Sequence, residues 1–194
     1  MISIDSDKSD KLKHLVNHEI SHASHFTVVD NNYWMTLIAA EIKADEVCGD
    51  AHGNINSWEA GRIALCESWA EHIGRTFSDK TYGVNNNIAI SGISTFEEWL
   101  EKQRNEKSNH IPIGYYYDLI DGVNLNEIAH EYDNLSSNNE IIVDGISGIS
   151  NQQMFSLLDA TVTSPNIFTT KLKNSGYLTG ANSAIKVDQL FNSY

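Results

Sequence analysis

The sequence contains little cysteine and little basic charge. Its 194 residues include two cysteines, Cys48 and Cys66, which are too few for the disulfide framework of a small secreted scaffold. The sequence leaves open whether these two thiols pair. Only 13 Lys and Arg residues oppose 26 Asp and Glu residues, so the formal net charge is -13. Such a surface repels nucleic-acid phosphates and anionic lipids, and we therefore expect no nucleic-acid partner.

Long apolar runs are also missing. No stretch approaches the roughly 18 apolar residues that a membrane-spanning helix requires, and the opening residues MISIDSDKSDKLKHL contain neither the apolar segment nor the cleavage site of a secretory signal. We therefore expect no membrane span in this chain. A hydrophobic content of 41% over 194 residues suffices for one core. The prediction is one domain over residues 1–194, either complete or the C-terminal part of a longer protein.

Helical spacing of apolar residues dominates the chain and predicts a mainly α fold. The spacing and the capping residues predict helices from Ser9 or Asp10 to Phe26, from Tyr33 to Val47, and from a capping box at Asn56 and Glu59 onward with a break near Gly74. Further helix starts are predicted at Thr95, after Pro112, and at Ser150, Ser164 and Ser183. Residues 84–94 are predicted to form a loop or a short strand.

The stretch HEISH lies in the middle of the first predicted helix. His18 and His22 stand one helical turn apart, so both imidazoles can reach one zinc ion, while Glu19 projects beside them toward a metal-bound water. The alternative is a helix with solvated histidines, because His14 and His25 lie nearby as well.

A catalytic zinc site needs a third protein ligand and one open position. The histidine of the longer HExxHxxGxxH pattern is excluded, because His25 occupies the glycine position and Val28 occupies the position of the third histidine. The stretch ESWAE offers two carboxylates, Glu67 and Glu71, one turn apart on a predicted helix. Two like charges on an otherwise apolar face are unfavourable unless a cation lies between them and the neighbouring helix.

Together, HEISH and ESWAE resemble the paired motifs of the gluzincin class of zinc metallopeptidases. In that class, HExxH on one helix is followed by a glutamate ligand on a second helix, often as ExxAE. The resemblance implies that His18, His22 and Glu67 bind Zn²⁺, that Glu19 is the general base, and that Glu71 orients one of the metal-binding histidines.

The same resemblance, which covers roughly residues 9 to 78, implies an activity and a location. The protein is expected to be a zinc metallopeptidase that hydrolyses peptide bonds in peptides or proteins through a zinc-activated water. Its fold is expected to be the helical catalytic part of a zincin-like enzyme with the usual N-terminal sheet reduced or missing, because only 17 residues precede His18. Later segments such as YYYDLIDG resemble secreted or lipid-anchored bacterial zincin-like proteins, which implies an extracytoplasmic location.

Two alternatives are kept beside the peptidase. A catalytically inactive zincin-like binding or scaffolding module would keep the fold and lose the activity, which the short segment before the motif makes conceivable. A purely structural zinc site is disfavoured, because such sites prefer four Cys or His donors. The sequence contains no indication of the oligomeric state.

Several other polar side chains are candidates for supporting roles. The residue that would stabilise the oxyanion is left open among Tyr82, Tyr115, Tyr116, Tyr117 and His130. His72 is predicted to lie at the surface or beside the metal ligands rather than on the metal. Asp50 and His52, in the glycine-flanked stretch CGDAHGN, are interpreted as a turn rather than a metal site.

Overall fold

The computed structural model describes residues 9–82, 111–128 and 141–194. Within these ranges the chain forms seven helices and one small antiparallel sheet of two strands. The helices are α1 (Ser9–Phe26), α2 (Asn31–Cys48), α3 (Ala60–Tyr82), α4 (Tyr115–Asp118), α5 (Asn151–Phe155), α6 (Pro165–Lys173) and α7 (Ala184–Ser193). The strands are β1 (Asn124–Ile128) and β2 (Ile141–Asp144). The prediction of a mainly α fold is confirmed.

Helices α1 and α2 follow the predicted bounds closely. Helix α1 spans the whole stretch that the apolar spacing predicted. Helix α2 starts at Asn31 rather than Tyr33, because the Asp30 side chain accepts a hydrogen bond from the backbone N–H of Tyr33 at 2.7 Å. The last turn of α2 is closed by Gly49, whose left-handed backbone directs its N–H back onto the helix.

The predicted capping box of the third helix is wrong. Helix α3 begins at Ala60, and Glu59 before it has a positive φ of 56°. The box would need the Glu59 carboxylate to accept from the backbone N–H of Asn56, but that N–H donates to Asn54 Oδ1 at 2.9 Å. The Glu59 carboxylate instead accepts from Arg62 Nε at 3.1 Å. The conformation of the loop before α3 therefore depends on local asparagine contacts. The spacing of residues in the sequence alone did not reveal them.

The predicted break near Gly74 is also wrong, because α3 continues through it to Tyr82. The glycine instead permits a close approach between α3 and α1. A Cβ at this position would lie 2.9 Å from His14 Cδ2 and 3.1 Å from His14 O, which is closer than side-chain carbons normally come. A glycine in the middle of a helix costs stability relative to alanine, and here it lets the two helices pack together.

The predicted caps in the C-terminal third are confirmed. Ser150 and Gln153 form a complete capping box at the start of α5. Ser164 accepts from the backbone N–H of Ile167 and is followed by Pro165 in the first turn of α6. Ser183 caps α7 in the same way. The loop or strand predicted for residues 84–94 and the helix start at Thr95 lie outside the described residues.

Helix α3 lies between two apolar clusters. One face packs into the main core, which α4 and the C-terminal helices supply and which contains Leu65, Trp69, Tyr115, Tyr116, Phe168, Phe191 and Tyr194. Another face packs against α2, in a smaller cluster of Tyr33, Leu37, Ala40, Ala44, Ile63 and Cys66. Burial on these two faces holds α3 in place. The remaining face of α3, which packs against α1, is therefore held in a fixed position.

The structure describes both cysteines and the apolar character of the helices. Cys48 is exposed and Cys66 is buried, and both thiols are free. Among the described helices, none is both long enough and apolar enough to cross a bilayer.

Candidate metal centre

Two histidines of α1 and one carboxylate of α3 converge between these helices. His18 Nε2 lies 3.4 Å from Glu67 Oε2, and His22 Nε2 lies 3.3 Å from Glu67 Oε1. The two Nε2 atoms are 3.1 Å apart. One helical turn separates the histidines, so both rings face the same side of α1 and meet Glu67 across the helix interface. These three residues form a group that could hold a metal ion.

The spacing of the three donors fits a small tetrahedral ion. Zinc bonds to nitrogen and oxygen are about 2.0–2.1 Å long, which places two donors on one tetrahedral ion roughly 3.4 Å apart. The observed separations of 3.1 to 3.4 Å therefore match without a large movement of either helix. The three residues predicted as ligands are brought together, and they could hold a metal ion.

The other ring nitrogen of His18 is also engaged. His18 Nδ1 lies 3.2 Å from Glu71 Oε2, one turn beyond Glu67 on α3. A carboxylate at this position accepts a hydrogen bond from Nδ1–H, which leaves the Nε2 lone pair directed at the site. Glu71 therefore lies where the role of orienting a metal-binding histidine requires.

The histidines and carboxylates of this cluster shift one another's pKa values. Burial disfavours the charged form of His18, but hydrogen bonds to Glu67 and Glu71 raise its pKa from the usual 6.5 to about 10. Burial also works against the Glu67 carboxylate, but hydrogen bonds from His18 and His22 lower its pKa to about 2. The pKa of Glu71 is lowered as well, against burial, by contacts with His14 and His18. Without a metal, a proton on His18 supplies the charge that a cation would otherwise supply.

Zinc affinity is expected to increase with pH. The metal-free protein retains the His18 proton up to its raised pKa of about 10, and a metal ion must displace that proton to bind Nε2. Between pH 6 and 8.5 the affinity should therefore rise about tenfold per pH unit for this one proton. Competition with a chromophoric chelator measures the slope, and calorimetry in buffers of different ionisation enthalpy measures the protons released. An affinity that does not change over this range would contradict the protonation assigned to His18.

Two further acidic residues belong to the helices around the cluster. Glu19 follows His18 on α1, and its side chain is exposed. Glu41 of α2 is half-buried, and its pKa is raised by burial first and then by the nearby Glu67 carboxylate. No sequence pattern indicated Glu41, because its proximity to the site depends on how α2 packs.

The loop after α2 places His52 beside the same carboxylate. His52 Nε2 lies 3.3 Å from Glu67 Oε2, and the His52 side chain is 54% exposed. The predicted turn is present, since Asp50 Oδ1 accepts from the backbone N–H of His52 at 2.9 Å. Gly53 is required after His52, because its backbone has a positive φ of 62° and a Cβ there would clash with Ser57 Oγ. The interpretation as a turn was correct but incomplete, and the proximity to Glu67 depends on the tertiary contact.

Other candidate residues lie elsewhere. Tyr115 and Tyr116 are fully buried in the main core, and the Tyr115 hydroxyl lies 2.8 Å from Thr169 Oγ1. His72 is fully buried rather than at the surface, and its Nε2 lies 2.7 Å from Asn151 Oδ1. Burial lowers the pKa of His72 to about 4, so its ring is neutral at physiological pH.

The remaining candidates were Tyr82, Tyr117 and His130. His130 and the side chain of Tyr82 lie outside the described residues. Tyr117 is on α4 and is partly buried.

Comparison of the chain with protein-family models, with curated proteins and with solved structures gave no match.

Proposed function

We propose that this protein is a zinc-dependent peptidase of the gluzincin type. One observation carries the proposal: two imidazole nitrogens and one carboxylate meet at 3.1 to 3.4 Å across the α1–α3 interface. A set of two histidines and one glutamate is the donor set of a catalytic zinc site rather than of a structural one. His18, His22 and Glu67 would hold the ion.

The residues around the ion have distinct tasks in peptide hydrolysis. When bound, zinc acts as a Lewis acid that acidifies a water molecule and polarises the substrate carbonyl. Glu19 accepts a proton from the water molecule as the water oxygen bonds to the carbonyl carbon of the substrate. Glu19 then delivers that proton to the amide nitrogen as the C–N bond breaks. The exposed position of Glu19 beside His18 supports this role, because a general base must reach solvent and must not be a ligand.

The substrate class and the location are part of the same proposal. Peptides or proteins are the proposed substrates, and the extracytoplasmic location rests on the resemblance of later segments to secreted or lipid-anchored zincin-like proteins. The net charge of -13 supports the expectation that nucleic acid is not a partner.

His52 is the proposed hydrogen-bond donor to the carbonyl oxygen of the substrate. Its Nε2 lies 3.3 Å from Glu67 Oε2 and its side chain is 54% exposed, so a substrate bound at the site would meet this ring. Replacing His52 by Ala is expected to leave the zinc content at the wild-type value and to lower kcat/KM about 100-fold. Loss of zinc from this variant would instead make His52 a ligand, and unchanged kinetics would remove it from the mechanism.

The proposed function is tested by metal analysis together with an activity assay. Protein purified without chelator is expected to contain about one zinc ion per chain. It should cleave denatured casein or a mixed peptide library, lose that activity with 1,10-phenanthroline and regain it with added Zn²⁺. Absence of zinc would exclude the metal centre. Stoichiometric zinc without cleavage would contradict the peptidase and favour the inactive binding module.

A further inference from the structure

We propose that His14 and Arg75 are positioning residues of the metal centre and that both act through Glu71. The inference rests on the proposed zinc site and extends it by one layer of side chains on each helix. Neither residue belongs to the HEISH or ESWAE motif, so the motifs themselves do not indicate it.

Three groups surround the Glu71 carboxylate. His18 Nδ1 lies 3.2 Å from Glu71 Oε2, and His14 Nε2 lies 3.0 Å from the same oxygen. Arg75 Nε donates to the other oxygen, Oε1, at 3.0 Å. Both oxygens are therefore occupied, which restricts rotation of the carboxylate about its last bond. With its carboxylate held in this orientation, Glu71 fixes the ring plane of His18 more firmly than a freely rotating acid would.

The three groups follow from the register of two helices. His14, His18 and His22 succeed one another at intervals of one turn along α1, and Glu67, Glu71 and Arg75 do so along α3. Each carboxylate thus meets two successive histidines of the facing helix.

Gly74 is what lets His14 reach this position. Its missing side chain leaves space for the His14 ring, because a Cβ at Gly74 would lie only 3.0 Å from His14 Nε2. The close contact of α1 and α3 therefore brings the His14 ring to the Glu71 carboxylate. His14 Nε2 is buried 3.0 Å from Glu71 Oε2 without hydrogen-bond geometry, so the ring packs against this oxygen and limits its movement.

The same residues do not form a second metal site. His14, His18 and Glu71 are close enough together to satisfy the distance requirement of a metal-binding group. However, the Arg75 guanidinium, which is 6% exposed, already pairs with Glu71. A second cation beside a buried guanidinium would be repelled, and His18 would have to supply both ring nitrogens to metals. The arrangement therefore supports one metal ion with a neutralised carboxylate behind it.

The test measures zinc affinity by competition with a chromophoric chelator in single and double variants. Arg75→Met and His14→Leu are each expected to weaken zinc binding about 10-fold or more, because partners of this kind typically contribute 10- to 100-fold. In a Glu71→Ala background the same two substitutions should have less than about a twofold effect, since the group through which they act is gone. Arg62→Met is the matched control, because Arg62 in the first turn of α3 pairs through its Nε with the carboxylate of Glu59, the residue before the helix, at 3.1 Å.

Two further measurements separate positioning from a merely structural role. The visible spectrum of the Co²⁺-substituted variants should keep the band positions of the wild type, because the ligands themselves are unchanged. Circular dichroism checks that the variants fold. If Arg75→Met or His14→Leu does not fold, the zinc affinity is measured in Arg75→Lys and His14→Gln instead. These milder changes should fold and lower the affinity severalfold, again only when Glu71 is present.

The outcomes distinguish this inference from the proposed function. Wild-type affinity in folded His14 and Arg75 variants would overturn the inference while leaving the zinc site intact. Losses that persist in the Glu71→Ala background would also overturn it, because the residues would then act by another route. A shifted Co²⁺ spectrum in the His14 variant would make His14 a ligand rather than a positioning residue. A wild-type protein that binds no zinc would remove both proposals.

Discussion

Replacing Glu67 by Ala is expected to abolish zinc retention. Glu67 supplies the only carboxylate that faces both His18 Nε2 and His22 Nε2 among the described residues, at 3.4 and 3.3 Å. Removing it leaves two neutral donors for the ion, which is too few for a tight site. Metal analysis after gel filtration measures the loss, and Glu46→Ala, at an exposed position of α2, is the control.

The Glu71→Ala variant sharpens the same experiment. Glu71 contacts the far nitrogen of His18 rather than the space between the ligands, so its removal should weaken zinc binding by about 10- to 100-fold without abolishing it. Zinc affinity that is indifferent to Glu67 and collapses with Glu71 would reverse the assignment of ligand and supporting acid.

Replacing Glu19 by Gln is expected to remove nearly all hydrolysis while zinc binding stays near normal. The glutamine keeps the size of the side chain but cannot accept the proton of the attacking water. General base catalysis typically contributes about 10²- to 10⁴-fold, so kcat should fall by that range. The change should appear in kcat rather than in zinc content, because Glu19 is exposed and is not one of the three grouped donors.

The matched control for the base is Glu41→Gln. Glu41 is a second carboxylate near Glu67. It is partly buried and lies on a different helix from Glu19. A loss of activity confined to the Glu19 variant supports the assignment. Retained turnover by Glu19→Gln, or equal losses in both variants, would contradict the proposed mechanism.

Local sequence signals predicted the parts of this protein that depend on neighbours along the chain. The one-turn spacing of His18 and His22 placed both rings on one helix face, and the spacing of Glu67 and Glu71 did the same on α3. The caps at Ser150, Ser164 and Ser183 were also predictable, because a side chain and a backbone N–H three residues away settle them.

Local signals failed where a competing contact took over. The pattern at Asn56 and Glu59 had the spacing of a capping box, but Asn54 captured the backbone N–H that the box requires. Gly74 looked like a helix breaker, whereas its missing side chain accommodates His14 of the neighbouring helix. Tyr115 and Tyr116 had the polar groups of candidate catalytic residues, but their rings are buried in the main apolar core.

By itself, the sequence determined which side chains share a helix face, because helical periodicity is a property of the chain. The register of α1 against α3 was decided only by the tertiary structure, since that register depends on burial of the two other faces of α3 and on the close approach at Gly74. This packing brought His14 and Arg75 to Glu71, and the loop after α2 brought His52 to Glu67. No periodicity within one element specifies such contacts, because they arise between elements whose relative position is set by the core.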